Sequence, residues 1–233
     1  PMAAQLSYLC GPTNTPLTDT TYTREFRRVV HKYLERECYI FRNTTTGEVF
    51  RHTYEKIYDI VNRVIAGYTN VLKTPMKRVI CIYLTNTVEY SYAQIAAITG
   101  GYIVFPLNPL YSPDQLARLL PRVEPALVVT NKRLAKNIPE KYAKLFIERD
   151  APEGFHSIWE FVDTPAGDLI AERAEVIQPE DECFYGCTSG STGDPKICVY
   201  THFRMINPFI HLDHSTNIDS QKRISLCCAP LFT

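Results

Sequence analysis

The chain has 233 residues, 45% of them hydrophobic, and its 25 Lys plus Arg balance its 25 Asp plus Glu at a sequence pI of about 7.3. A chain of this size and apolar content can bury a core, so disordered and fibrous classes are excluded, and one large domain or two lobes are allowed. The even charge leaves no overall field to draw it onto nucleic acid or anionic membrane, so any anion must be gripped locally.

The opening Pro1-Met-Ala-Ala-Gln-Leu-Ser-Tyr8 lacks both a charged start and a long apolar run, so no signal peptide is read there. Thr23 is the expected cap of a first helix whose apolar face is Phe26, Val29, Val30, Tyr33 and Leu34. Arg24, Arg27, Arg28 and Lys32 fall on its other face, interleaved with Glu25, Glu35 and Glu37, and read as solvated. Cys38–Arg42 and Glu48–Arg51 flank a Thr-rich turn and read as a pair of strands. Thr53 opens the clearest helix, with Tyr54, Ile57, Tyr58, Val61, Val64, Ile65, Tyr68 and Leu72 on one face and Pro75 as its expected end.

Val79–Leu84 is a near-continuous β-favouring run, the pattern of a strand buried on both sides of a parallel sheet. Asn86 or Thr87 caps the helix after it, Gly100-Gly101 breaks that helix, and Tyr102–Phe105 is the next strand. The charge-free window between Glu89 and Asp114 is too diluted by polar residues, Gly and Pro to be a membrane span. Ser112-Pro-Asp-Gln115 combines a capping Ser, a first-turn Pro and a Gln that reaches back, and Leu116, Leu119 and Leu120 give the helix a core face. Ala126–Thr130 and Lys144–Glu148 are further strands. Strands alternating with amphipathic helices at this spacing mean βαβ units, so the fold class is α/β with parallel sheets and packed helices.

Residues 1–148 are taken as the first α/β sheet, 149–181 as an acidic connection to a second sheet anchored by Trp159 and Phe161, and 182–233 as a loop-bearing segment that begins the next part. In that segment Glu182–Tyr185 and Ile197–Tyr200 read as two buried strands on either side of a glycine loop. Thr201 caps a helix that Pro208 should kink or end within two turns, and Arg223–Cys228 is a final strand. The eight cysteines are irregularly spaced and mostly inside apolar runs, where free thiols pack as small hydrophobes in a reducing compartment. No zinc knuckle is present, and no metal site is assigned.

The loop Thr188-Ser-Gly-Ser-Thr-Gly193 offers four hydroxyls and two glycines, followed by Asp194, Pro195 and Lys196. Backbone amides unobstructed by side chains form a nest suited to phosphate oxygens, and a lysine at the rim adds a mobile charge. It is not a Walker A loop, because two residues separate Gly193 from Lys196, and Gly186, Gly190 and Gly193 have the wrong spacing for a dinucleotide fingerprint. A nucleophile reading has Ser189, Ser191 or Cys187 available, but neither Gly-x-Ser-x-Gly nor an activating partner is evident. A flexible surface turn is the plain alternative, and a place between two buried strands argues against it.

Tyr185–Lys196 resembles the phosphate-binding signature of the adenylate-forming superfamily, the acyl-CoA synthetases, 4-coumarate-CoA ligases, luciferases and peptide-synthetase adenylation domains. Val79–Leu84 with Asn86, Pro106-Leu-Asn-Pro109, Tyr111-Ser-Pro, Thr201-His202 and Ala229-Pro-Leu-Phe232 resemble further ligase landmarks in the same order, closest to the coumarate-ligase and luciferase-like branch. The resemblance implies a two-step reaction: with ATP and Mg²⁺ a small-molecule carboxylic acid becomes an acyl-adenylate, and coenzyme A then takes the acyl group. It implies that Thr188, Ser189, Gly190, Ser191, Thr192, Gly193 and Lys196 hold the β- and γ-phosphates as the leaving group, with no catalytic residue in this chain. His202 and Thr233 are the candidate substrate-side positions. Two departures stand out: Ile197 where the family usually has glycine, and Thr233 where this branch commonly has histidine.

The family's adenine-contacting aromatic, ribose-binding Asp, hinge and mobile lysine-bearing C-terminal domain are not found in these residues. The expectation is therefore an N-terminal fragment, inactive alone, whose partner is the missing C-terminal part of the same enzyme. No nucleic acid partner and no integral membrane segment are expected, and the compartment is cytoplasmic or peroxisomal. Two other readings are a truncated noncatalytic paralogue with a nucleotide- or protein-binding role, and an amidase-like hydrolase using a loop serine with a lysine.

Overall fold

A computed structural model describes residues 16–43, 46–188, 195–215 and 231, with the backbone alone at 212–215. Helix α1 (Tyr22–Lys32) leads into an antiparallel pair, β1 (Glu37–Arg42) and β2 (Val49–Thr53), set apart from the main sheet. Thr21, not Thr23, caps α1: its hydroxyl accepts from the Arg24 amide at 3.1 Å. The Thr23 hydroxyl turns inward and donates to the Thr99 carbonyl at 3.3 Å. Arg24 also departs from the solvated reading, since Nε donates to Ala174 O at 2.9 Å and Nη2 to Ile177 O at 3.2 Å.

Thr53 caps α2 (Tyr54–Ala66), whose Ile57, Ile60, Val61, Val64 and Ile65 are buried. The helix continues as a π-helical turn, Gly67–Val71, and stops before Pro75 because Lys73 adopts φ 51° and reverses the chain. A Cβ at Gly67 would stand 2.2 Å from the Phe161 ring, so the ring of a distant helix seats directly on this glycine.

The main sheet follows from two runs buried at every residue, β3 (Val79–Tyr83) and β4 (Ile103–Leu107). Thr87 caps α3 (Val88–Thr99) between them, and α3 packs in the layer of α2. The chain then enters α4 (Pro113–Leu119) through the Ser112–Gln115 capping box, passes a 3₁₀ turn (Leu120–Arg122) and returns as β5 (Leu127–Thr130) on the far side of β3. α3 lies on one face and α4 on the other because the two crossovers run in opposite directions and each is right-handed. Short α5 (Lys132–Ala135), β6 (Lys144–Phe146) and β7 (His156–Ser157) extend the sheet.

Residues 149–181 contain β7, α6 (Ile158–Val162) and α7 (Leu169–Val176), and the strand that follows them joins the main sheet. The next strand, β8 (Glu182–Thr188), pairs in parallel with β4, and β9 (Lys196–Thr201) folds back antiparallel on β8. Among the described residues this makes one seven-stranded sheet, ordered β7-β6-β5-β3-β4-β8-β9. β8 fills the edge that β4 leaves open, and α6 and α7 pack on the α2 layer. α8 (His202–Ser215) runs through Pro208, beyond the expected stop. Proline removes one intrahelical bond, but Ile206 and Asn207 are buried on the inner side while Pro208 is exposed, so the helix stays seated. The expected strand at Arg223–Cys228 lies outside the described residues. No described helix is long and apolar enough to cross a membrane.

Gly67→Ala supplies a better helix former at a helical φ, so any loss of stability would be steric. The expected result is destabilisation by about 2 kcal/mol or more in urea unfolding, from overpacking against Phe161. In a Phe161→Ala background the same substitution should lose most of that cost, and equal costs in both backgrounds would disprove the contact.

Candidate functional site

Strands β3, β4, β5, β6 and β8 all run the same way, so their carboxyl ends share one edge. In open α/β sheets ligands bind outside that edge. The glycine loop leaves it from Thr188, the end of β8, and returns at Lys196, the start of β9, whose Cα pairs with that of Thr188. Ser189, Gly190, Ser191, Thr192 and Gly193 lie outside the described residues, as does Thr233. Thr188 and Lys196 are exposed at the mouth.

The neighbouring loops are tied to the same edge. The fully buried Tyr83 at the end of β3 donates its hydroxyl to Tyr111 O at 2.8 Å and accepts from Asn137 Nδ2 at 3.2 Å, which draws the 108–112 loop over the strand ends. Leu231 meets the start of α3: its amide donates to Asn86 Oδ1 at 2.8 Å and its carbonyl accepts from the Tyr90 hydroxyl at 2.9 Å. Asn86 therefore does not cap α3 but holds a segment 145 residues away.

The hairpin itself is less covered than the sequence suggested. Only Cys183 of β8 is buried, and no residue of β9 is. Among the described residues β9 pairs with β8 alone and forms the sheet's outer edge, where Val199 and Tyr200 are 42% exposed. The case against an idle turn rests on the loop's position at the carboxyl edge rather than on burial of its stems. Ile197, the departure from glycine, packs half-buried against the second core beside Tyr185.

Between the hairpin and α8 lies a cavity of about 420 Å³ that reaches Thr188. Gly186 and Cys198 are in its floor, Phe184, Tyr200, Met205 and Phe209 form apolar walls, and the exposed Arg204 contributes a charge. No sequence signal marked it, because its lining combines residues of two strands with one side of a helix.

Two further candidates have described surroundings. At Cys187 partial burial pushes the thiol up, outweighing the Arg122 charge and the Tyr111 hydrogen bond that act the other way, in keeping with the absence of an activating partner in the sequence. His202 is fully buried, turned to α1, and does not line the cavity. Its Nδ1 accepts from the Tyr22 amide at 3.3 Å, which requires the proton on Nε2, a buried atom without a hydrogen-bond partner among the described residues. Burial, helped by the nearby Arg24 charge and opposed by Asp181, lowers the imidazole to about 4.

A family model described as AMP-binding enzyme matches residues 26–233. A 4-coumarate–CoA ligase of Humulus lupulus is 27% identical over 87% of this chain and 37% of its own length. An acyl-CoA ligase of Aspergillus fumigatus is 29% identical over 99% of this chain and 41% of its own. The chain thus spans about two-fifths of the relatives it matches. Among solved structures, an anthranilate CoA ligase in complex with anthranoyl-AMP superposes with a TM-score of 0.64 at 16% identity, covering 82% of this chain and 36% of that one. A benzoate CoA ligase from Burkholderia xenovorans gives 0.62 at 18% identity, covering 78% and 34%. At these identities the superpositions speak for the fold.

The buried His202 makes stability depend on pH. Its folded pKa, about 4, lies below the ordinary value of 6.5, so the unfolded chain takes up a proton first and stability is lost as pH falls from about 6.5 towards 4. Comparing urea unfolding at pH 7 and pH 4.5, the wild type should lose stability relative to His202→Gln, by an amount on the order of 2 kcal/mol. A difference that does not change with pH would contradict the neutral imidazole.

Proposed function

The chain belongs to the AMP-binding enzyme family, and from that premise we propose that it forms the phosphate-holding part of an ATP-dependent acid–thiol ligase. In this reading a carboxylic acid becomes an acyl-adenylate and the acyl group then passes to the thiol of coenzyme A. The observation that carries it is the gathering of Asn86, Tyr111, Thr188, Lys196 and Leu231 at one carboxyl edge of a parallel sheet. Sequence landmarks more than a hundred residues apart meet where such sheets take ligands.

Magnesium–ATP, when bound, supplies an α-phosphorus for the carboxylate to attack and a pyrophosphate to leave. The residues present fit such a group. Thr188 and Lys196 face each other across the loop mouth with their side chains exposed. The hydroxyl would offer one hydrogen-bond donor to phosphate oxygens, and the ammonium, three donors on a flexible stem, would supply positive charge to the leaving group. The apolar cavity beside Thr188, with Arg204 in its lining, suits an acid with a hydrophobic or aromatic body and one carboxylate. Its contents complete only part of an active site. The residues match only 37% and 41% of the length of the two ligase relatives, so we expect the 233 residues by themselves not to turn over.

Titration with magnesium pyrophosphate should show weak binding that Lys196→Ala reduces about tenfold or more, the loss of one charge-assisted hydrogen bond. Carboxylate-driven exchange of labelled pyrophosphate into ATP should be absent for the 233 residues alone. Unchanged binding in Lys196→Ala would remove the loop from the mechanism, and exchange by the 233-residue chain would overturn the inactivity.

A further inference from the structure

A guanidinium from the second face of the sheet reaches the exit of the glycine loop. Arg122 ends the 3₁₀ turn after α4, whose Leu120 is fully buried and whose next residue, Val123, packs on the same core. The base of the side chain is therefore fixed. Its Nη1 donates to the Pro195 carbonyl at 2.8 Å, across 73 residues of sequence. The Arg122 charge is also felt at the Cys187 sulfur, which hydrogen-bonds Tyr111. Arg122, Tyr111 and the last turn of β8 thus surround one side of the hairpin mouth.

Pro195 is the residue through which this matters. It has no amide proton to offer the β8–β9 ladder, so its carbonyl is the group by which a side chain can hold it. Lys196 follows directly and opens β9, a strand that among the described residues has a partner on one side alone. An unheld strand end at a sheet edge frays. Successive side chains point to opposite faces: Ile197 packs on the second core, the face that Arg122 approaches, and Lys196 points to the other. We propose that Arg122 is a positioning residue for the phosphate-holding lysine: its hydrogen bond to Pro195, with Ile197 packed beneath, fixes the first rung of β9 and so sets where the Lys196 ammonium stands. The bond joins opposite sides of the sheet mouth, so a cation anchors the loop on one face and another addresses the ligand from the other.

This rests on the ligase reading for what Lys196 holds, but the anchoring itself can be measured without a ligand. Amide hydrogen exchange on the 233-residue chain should be at least about tenfold faster at Lys196 and Ile197 in Arg122→Ala than in wild type, with β3 and β4 amides unchanged. Arg122→Lys, which can still donate to Pro195, should recover most of the protection. Titrated with magnesium pyrophosphate, Arg122→Ala should bind about fivefold more weakly, with an unchanged thermal midpoint. Unaltered exchange at Lys196 and Ile197, or equal exchange in the Ala and Lys variants, overturns the proposal. Faster exchange together with pyrophosphate binding that Lys196→Ala loses and Arg122→Ala keeps would also overturn it, whereas binding lost in neither variant would overturn the ligase reading and leave the anchoring to be decided by the exchange rates.

Discussion

Two adjacent strands buried at every position constrain the rest of this molecule. With Val79–Tyr83 and Ile103–Leu107 covered on both faces, their connections must leave the sheet, cross a face as helix and re-enter in parallel. α3 covers one face and α4 the other, and each crossover brings its strand back pointing the same way. The carboxyl edge is a by-product of that geometry. The described loops that leave it gain long-range holds from side chains, which is why Tyr83, Asn86, Tyr90 and Arg122 matter beyond their own elements.

The parts of the fold legible in the sequence were those set by local rules. Thr53, Thr87 and Ser112 cap where hydroxyl chemistry and apolar spacing coincide, and the α2 face and the β3 run follow from periodicity alone. What was not legible depended on partners far along the chain. Whether Thr21 or Thr23 caps α1 is settled by Thr99, and whether Arg24 is solvated is settled by the end of α7. The place of β8 was hidden because strand order is not written in spacing: nothing in Glu182–Thr188 announces that it lies beside β4 rather than in a sheet of its own.

The loop shows the same division at the site. Its composition carried the phosphate reading, and the match of residues 185–196 to a family signature carried the chemistry. The cavity beside it and the hold on Pro195 are tertiary facts. The Ile197 departure also acquires a physical setting. A β-branched side chain packed against the second core stiffens a strand that would be looser with glycine, at the point where the edge strand begins.

The enclosed imidazole of His202 links the two ends of the described chain. It accepts from the first amide of α1, while Asn207, one and a half turns on, receives the Thr18 amide at 2.8 Å and donates to the Thr18 carbonyl at 3.1 Å. The helix that follows the loop hairpin is thus clasped by residues that precede the first helix. A chain shortened to begin at α1 itself would keep every strand of the sheet and still lose the clasp. The smallest unit able to present this loop therefore begins ahead of its first regular element, in a stretch that has neither helix nor strand.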